Sequence, residues 1–446
     1  MSLFRNALGL TLLIAVAACS GRNTLPPTAG TAPALSTLAS LQSDDANLGP
    51  ENGYLPALSP DAIQPLCPAT GDRNVFRCFA WMRTDLHGGM GTDTVPAKAG
   101  YSPAQIAAAY HLSPSRGAGQ TVAIVDAYGY TAAESDLTAY RKGAGLPACT
   151  SASGCLAILN QKGQKAPLPP EGTGNNANWM AEEALDLDAV SAACPKCKIV
   201  LVQSKDANSN NLFQAAAAGG KLASIISMSW GGSEGGGVTP DAIDQPGHTY
   251  VSSAGDFGGG VLNGGGPQQP CTYANIVCVG GTRLTHSKTG TWSEVVWNDN
   301  RNNGCYGPCG STGSACSTVV KKPSYQTDTA AGDCTKRSAA DVAADASPFT
   351  PLAVYMAKYN GWVGIGGTSL AAPLIAGIIG EAGNGRTFGP ANIWAKHTHL
   401  NDVLKGTNLY APVTGPCAST VVYICTAGAG YDGPTGWGTP NGITDF

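Results

Sequence analysis

Between residues 121 and 281 the sequence alternates short apolar runs with Ala-rich stretches of helical texture, and this alternation restricts the fold more than any other feature. The runs are TVAIVDAY (121–128), KIVLVQS (198–204), ASIISMSW (223–230), TYVSSAG (249–255) and ANIVCVGG (274–281). Among them lie NWMAEEALDLDAVSAA (178–193) and NLFQAAAAGG (211–220). A strand with one wet face alternates apolar with polar residues, whereas a strand apolar throughout is covered on both sides, and helices between such strands make the connections parallel. The expected fold class is α/β, with a mostly parallel central sheet, helices on both faces and a single large domain over residues 100–446. Charged residues are 13% of the chain, against about 25% in an average soluble domain, and the net charge of -4 leaves no polycationic surface for nucleic acid.

The N-terminal hundred residues have a different texture. Residues 1–18 (MSLFRNALGLTLLIAVAA) carry one Arg, an apolar stretch and small residues, which reads as an export signal. Val16-Ala17-Ala18-Cys19 resembles the bacterial lipobox, in which the Cys becomes a lipidated first residue; an ordinary secretory cleavage nearby is the alternative. Membrane contact is then expected only through a lipid on Cys19, and the protein is placed in the cell envelope or outside the cell, as a monomer. Residues 19–66 have a tether composition rich in Pro, Ser, Thr and Gly, and 67–99 form a short disulfide-closed segment. The chain has 15 Cys. Without Cys19 an even number remains, as suits an oxidising compartment. Short separations suggest Cys67 with Cys78, Cys149 with Cys155, Cys194 with Cys197, Cys271 with Cys278 and Cys417 with Cys425. Cys305, Cys309, Cys316 and Cys334 are left with three possible connectivities among themselves.

The stretch GIGGTSLAAP (364–373) places Ser369 among small residues at the start of a helical run, and a Ser nucleophile needs a neighbour to take its proton. The order Asp, His, Ser of subtilisins requires a His between Asp126 and Ser369. Only His248 and His286 lie there, neither in a His-Gly-Thr context. Carboxylates are better placed. Glu182 and Asp186, four residues apart in WMAEEALDLD, stack on one helical face, where two like charges raise each other's proton affinity. Taken alone, acids near a helix start equally well serve its dipole, and a run such as SLAAPLIAGIIGEAG equally well serves close helix packing.

Several stretches, in order, resemble the sedolisin family of serine-carboxyl peptidases, which share the subtilisin-like fold and replace His with Glu. The matches are Glu182 to Asp186 within Glu-x-x-Leu-Asp, Ser227-Met-Ser-Trp-Gly, Ser253-Ala-Gly-Asp256 and Gly366-Gly-Thr-Ser369. The resemblance implies Ser369 as nucleophile, Glu182 as general base, Asp186 as its orienting partner and Asp256 as oxyanion donor, acting on proteins or peptides. Glu183 competes for the base role, but the spacing to Leu185-Asp186 selects Glu182. Asp126 is either an acid extending the hydrogen-bond network or a turn cap. A neutral Asp256 and a carboxylate base imply an optimum below about pH 5.5 from reference carboxyl pKa values near ~4. The same family suggests one structural Ca2+ held by Asp402, Asp432 and the carbonyls of Val403, Gly428 and Gly430. Where family members carry a large folded propeptide, this chain has only the stretch between Cys19 and Tyr101, much of it tether. The alternatives are a catalytically silent, calcium-stabilised surface binding protein on the same fold, and a His-dependent subtilisin-like protease.

Overall fold

The computed structural model describes residues 62–68, 71–87, 89, 94–235, 239–259, 266–299, 310–327, 334–409 and 422–446. The signal, nearly all of the tether, Cys19, Cys305, Cys309 and Cys417 lie outside them. Three short strands come first: β1 (Ile63–Pro65), β2 (Arg77–Cys78) and β3 (Trp81–His87), then α1 (Pro103–Ala109). The central layer runs β4 (Thr121–Ala127), α2 (Ala133–Gly143), β5 (Leu156–Asn160), α3 (Trp179–Ala193), β6 (Lys198–Ser204), α4 (Ser209–Gly220), β7 (Ile225–Met228), β8 (Trp230–Ser233), β9 (Thr249–Ser253), β10 (Gln268–Gln269), β11 (Ile276–His286) and β12 (Trp292–Val296). After β13 (Ala315–Lys321) and β14 (Lys336–Ala339) come β15 (Val342–Asp345), β16 (Leu352–Met356), β17 (Gly361–Gly366), α5 (Thr368–Ala382) and α6 (Pro390–Ala395).

The large sheet has the order β12-β11-β9-β7-β4-β6-β5, with β15 also on β11. Only β12 is antiparallel to its neighbour. The apolar runs read from the sequence are its inner strands, and the α/β class is as expected. Alternation along β4 decides which helix meets which side chain. A Cβ on Gly219 of α4 would meet Ala123 and Val125, while one on Gly380 of α5 would lie near Val122. Helices α4 and α5 therefore cover opposite faces, and Asp126, in phase with Val122, faces α3 and α5. Those two helices pack closely because α5 is small there: a Cβ on Gly377 would come 2.7 Å from Ala193 Cβ. Strand order reverses about β4, and ligands in such sheets bind beyond the C-terminal strand ends at that point. Asp126, Ser229 and Asp256 all stand at such ends.

A second, antiparallel sheet, β1-β3-β17-β16, was not legible in the sequence. It ties the 67–99 segment to β17, the strand that runs straight into α5 and Ser369. Disulfides join Cys67–Cys78, Cys149–Cys155, Cys194–Cys197 and Cys271–Cys278. Cys316 pairs with Cys334, which selects among the three connectivities, and Cys425 is also disulfide-bonded. Among the described residues no helix is long and apolar enough to cross a membrane.

Candidate active site

Ser369 is the second residue of α5, entered through Gly367 at φ 111°, a left-handed conformation where a Cβ would also collide with Phe79 O. Its hydroxyl donates to Ser229 O at 3.0 Å and accepts from the Phe79 amide at 3.0 Å. Pro373 lies one turn further into the helix and cannot donate to the Ser369 carbonyl. Ser229 Oγ stands 3.3 Å from that carbonyl and 2.9 Å from Asp186 Oδ1. Neither the Ser229 hydroxyl nor the Phe79 amide was singled out by sequence reasoning. Ser229 lies within the apolar run ASIISMSW, but Phe79 gives no local signal at all.

Glu182 enters from the first turn of α3, fully buried, with the Ser369 hydroxyl as its polar neighbour. Burial, then the Asp126 charge, push its pKa well above the ordinary carboxylate range, and the Ser369 hydroxyl opposes them. Asp186, one helical turn on, is pushed up by burial, Asp126 and Glu182 together. Asp126, from the end of β4, has no partner for either oxygen and is raised by burial to about 8. Glu183 turns aside to accept from Gln203 Nε2 at 2.7 Å. The structure thus brings Glu182, Asp186, Asp126 and Glu183 into one dry cluster whose members favour one another's protonated forms. Asp188 points elsewhere, accepting from the Tyr355 amide at 3.0 Å.

Asp256 follows β9 and approaches from the other side. Its Oδ1 accepts from Thr368 N at 2.8 Å and Thr368 Oγ1 at 2.7 Å, with Oδ2 buried near Gly367. Burial raises this carboxyl to about 8, partly offset by the Thr368 donors, by Arg77 and by the Trp81 indole. Below that pH the carboxyl carries a proton and can donate as well as accept. The two histidines between Asp126 and Ser369 are elsewhere. His248 meets Gly220 O at 2.6 Å, at the end of α4 and so across the sheet from α5, and His286 stacks on Trp292 with centroids 4.2 Å apart.

Comparison with known proteins follows from this arrangement. Residues 172–408, more than half the chain, match the family model described as Subtilase family. The chain belongs to the subtilase family. Within that family its kinship is to the sedolisins. It is 25% identical over 402 residues to Sedolisin of Pseudomonas sp. (strain 101), covering 83% of this chain and 64% of that protein. It is 28% identical over 375 residues to Kumamolisin of Bacillus sp. (strain MN-32), covering 78% and 63%. The subtilase thus spans a little under two thirds of these relatives' lengths. Its fold superposes with TM-score 0.63 and 25% identity on Pseudomonas sedolisin, a serine-carboxyl proteinase complexed with two molecules of pseudo-iodotyrostatin, over 79% of this chain and 96% of that one.

Of the residues expected to hold calcium, the two acids meet at one loop. Asp402 Oδ2 accepts from Gly430 N at 2.8 Å and Asp432 Oδ2 from Gly428 N at 3.3 Å, so both carboxylates meet one Gly-rich loop. Asp432 is buried and raised to about 8, chiefly by burial, with the Asp402 charge adding to it. A cation beside these two acids would relieve that repulsion, so the donor set fits a hard divalent ion. Val403 is buried beside them in sequence. Among the described residues no group of three or more His, Cys, Asp or Glu gathers as a metal site, so backbone carbonyls would have to supply most ligands.

Proposed function

We propose that this subtilase is an exported serine-carboxyl peptidase that hydrolyses peptide bonds in acid. Ser369 is the nucleophile, Glu182 the general base, Asp186 the residue that orients and shares protons with Glu182, and Asp256 the oxyanion donor. The observation that supports the reading is the gathering of three groups around Ser369. Its amide donates to a carbonyl, that of Phe79, at 3.0 Å, the buried carboxyl of Asp256 lies near Gly367 as that carbonyl does, and Glu182 stands beside the Ser369 hydroxyl. When Ser369 Oγ attacks, its proton passes to Glu182 and the developing oxyanion receives hydrogen bonds from the amide and from Asp256. An ionised Asp256 would repel that oxygen, so the acid form is the working one. Asp126 keeps Glu182 and Asp186 sharing protons rather than both ionised.

One Ca2+ at Asp402, Asp432 and the carbonyls of Val403, Gly428 and Gly430 would stabilise the C-terminal loops without taking part in the reaction. The disulfides fit an oxidising compartment. Digestion of casein at about pH 4 by the purified protein, against Ser369→Ala, tests the proposal. Loss of ~1,000-fold or more in the variant is expected. Equal digestion by both would remove Ser369 as the nucleophile, and none by either across pH 3–8 would instead favour a silent binding protein.

A further inference from the structure

Asp256 lies past the end of β9, outside any helix or strand, yet a group that stabilises an oxyanion must be held to within about 0.5 Å of its place. The segment 310–314, just before β13, supplies the hold. Ser311 N donates to Asp256 O at 3.0 Å, Gly313 N to Gly255 O at 2.6 Å and Gly258 N to Ser311 O at 3.0 Å. The backbone is thus pinned before, at and after Asp256. The segment in turn meets Asn408. Asn408 Nδ2 donates to Thr312 O at 2.8 Å and to Ser314 Oγ at 2.7 Å. Ser314 Oγ gives its own proton to Ile424 O, so it accepts here. The Asn408 carbonyl accepts from Ser311 Oγ at 3.2 Å and from Gly259 N at 3.4 Å, and a Cβ on Gly258 would come within 2.6 Å of it. Asn408 is itself fixed. It is fully buried, its amide donates to the carbonyl of disulfide-bonded Cys425 at 3.0 Å, and Asn298 Nδ2 donates to Thr407 O and Leu409 O at 2.7 and 3.1 Å on either side.

We propose that Asn408 is a positioning residue for the subtilase's reaction: it fixes segment 310–314 and, through that segment, the loop that carries Asp256. This rests on the peptidase reading above. Thr368 holds the Asp256 carboxyl directly, from the start of α5, whereas Asn408 acts on the backbone from which that carboxyl springs. Removing its side chain leaves Thr312 O and Ser314 Oγ, both in buried residues, without their donor. A buried acceptor so deprived is costly, and the segment relieves it by shifting or by admitting water. Negative charge grows on the substrate carbonyl oxygen only as Ser369 Oγ attacks, so a displaced Asp256 weakens the transition state and leaves substrate binding nearly intact. The loss therefore falls on kcat rather than KM. Water reaching Asp256 also relieves the burial that raises its pKa, so the carboxyl ionises at lower pH.

The test uses the purified protein and a quenched fluorescent peptide, selected from a mixed library for cleavage by the parent at pH 4. Asn408→Ala should lower kcat by about tenfold or more with KM within about threefold. It should also move the alkaline limb of kcat/KM set by Asp256 to lower pH, by about half a unit or more. A double-mutant cycle decides the route: in an Asp256→Ala background the same Asn408→Ala change should cost less than about threefold further. Asn408→Asp keeps the shape and, while its carboxyl is protonated at pH 4, one donor, and should recover about threefold or more of the Asn408→Ala loss there. The Tm of each variant is measured in parallel. A loss of equal size with and without Asp256, or a fall in Tm with kcat and the alkaline limb unchanged, overturns this inference and leaves the peptidase reading standing. Failure of both Asn408 variants to fold would make the residue one of stability alone and overturns it as well. A parent that cuts neither casein nor any library peptide between pH 3 and 8 sinks both.

Discussion

The Ser369 amide meets the Phe79 carbonyl at 3.0 Å, and the Phe79 amide returns to Ser369 Oγ at the same distance, although the two residues are 290 apart in sequence. Ser369 is thus buried beneath a segment of its own chain, and the acids around it are buried as well. Their proton affinities, and several measurable consequences, follow from that burial.

Replacing Asp256 separates the oxyanion donor from its titration. Asp256→Asn keeps an acceptor for Thr368 and places an N–H where Oδ2–H stood. The alkaline fall in kcat/KM, expected as Asp256 ionises near 8, should move upward or vanish. Asp256→Ala should lose ~100 to 1,000-fold at every pH. An unchanged alkaline limb in Asp256→Asn would assign that limb to another group.

Removing the base should be costly without unfolding the protein. Glu182→Gln preserves shape in a fully buried site and should lower kcat by ~100 to 10,000-fold. Glu183→Gln, which still meets Gln203, should keep most activity. The reverse ranking would give the base role to Glu183.

Asp126 competes with Glu182 and Asp186 for the charge that the buried cluster carries. In Asp126→Asn that charge falls to the other two, and the acidic limb of the kcat/KM profile should move to lower pH, on the order of one unit. A merely structural turn cap would lower stability and leave the limb in place.

Stability should fall as pH rises. Asp126 and Asp256 hold their protons to about 8 when folded, from ordinary values of 3.8. Below about pH 4 both states are protonated and their contribution is fully present. Between there and 8 the unfolded chain gives up protons that the folded one retains, and stability is lost. Thermal unfolding of Ser369→Ala, which cannot digest itself, should show a higher Tm at pH 4 than at pH 8, and the opposite order would contradict the assigned burial.

Chelation should matter at the far end of the fold. EGTA should lower the Tm of Ser369→Ala, and Asp402→Asn should remove that sensitivity. An equal Tm with and without EGTA would remove calcium from the account.

Much of the fold was legible because the signals are local. KIVLVQS is β6 residue for residue, and NWMAEEALDLDAVSAA becomes α3 from Trp179 onward, since an apolar β-branched run and an Ala- and Leu-rich stretch without Gly or Pro need no distant partner to be recognised. The pairing of Glu182 with Asp186 was legible for the same reason. The partnership of β3 with β17 was not, because a seven-residue strand in a Cys-closed segment carries no mark of which edge it will join.

What the sequence alone determined is the sheet and its covering helices, and it named Ser369, Glu182, Asp186 and Asp256 as the candidate site, each carried by short-range pattern or motif. Only the tertiary structure decided that Asp126 joins the acids, that Ser229 holds the nucleophile's hydroxyl, and that Phe79 lies across it. The reason is physical: hydrogen bonds and desolvation act over a few ångströms of space, and chain folding alone sets which residues share that space.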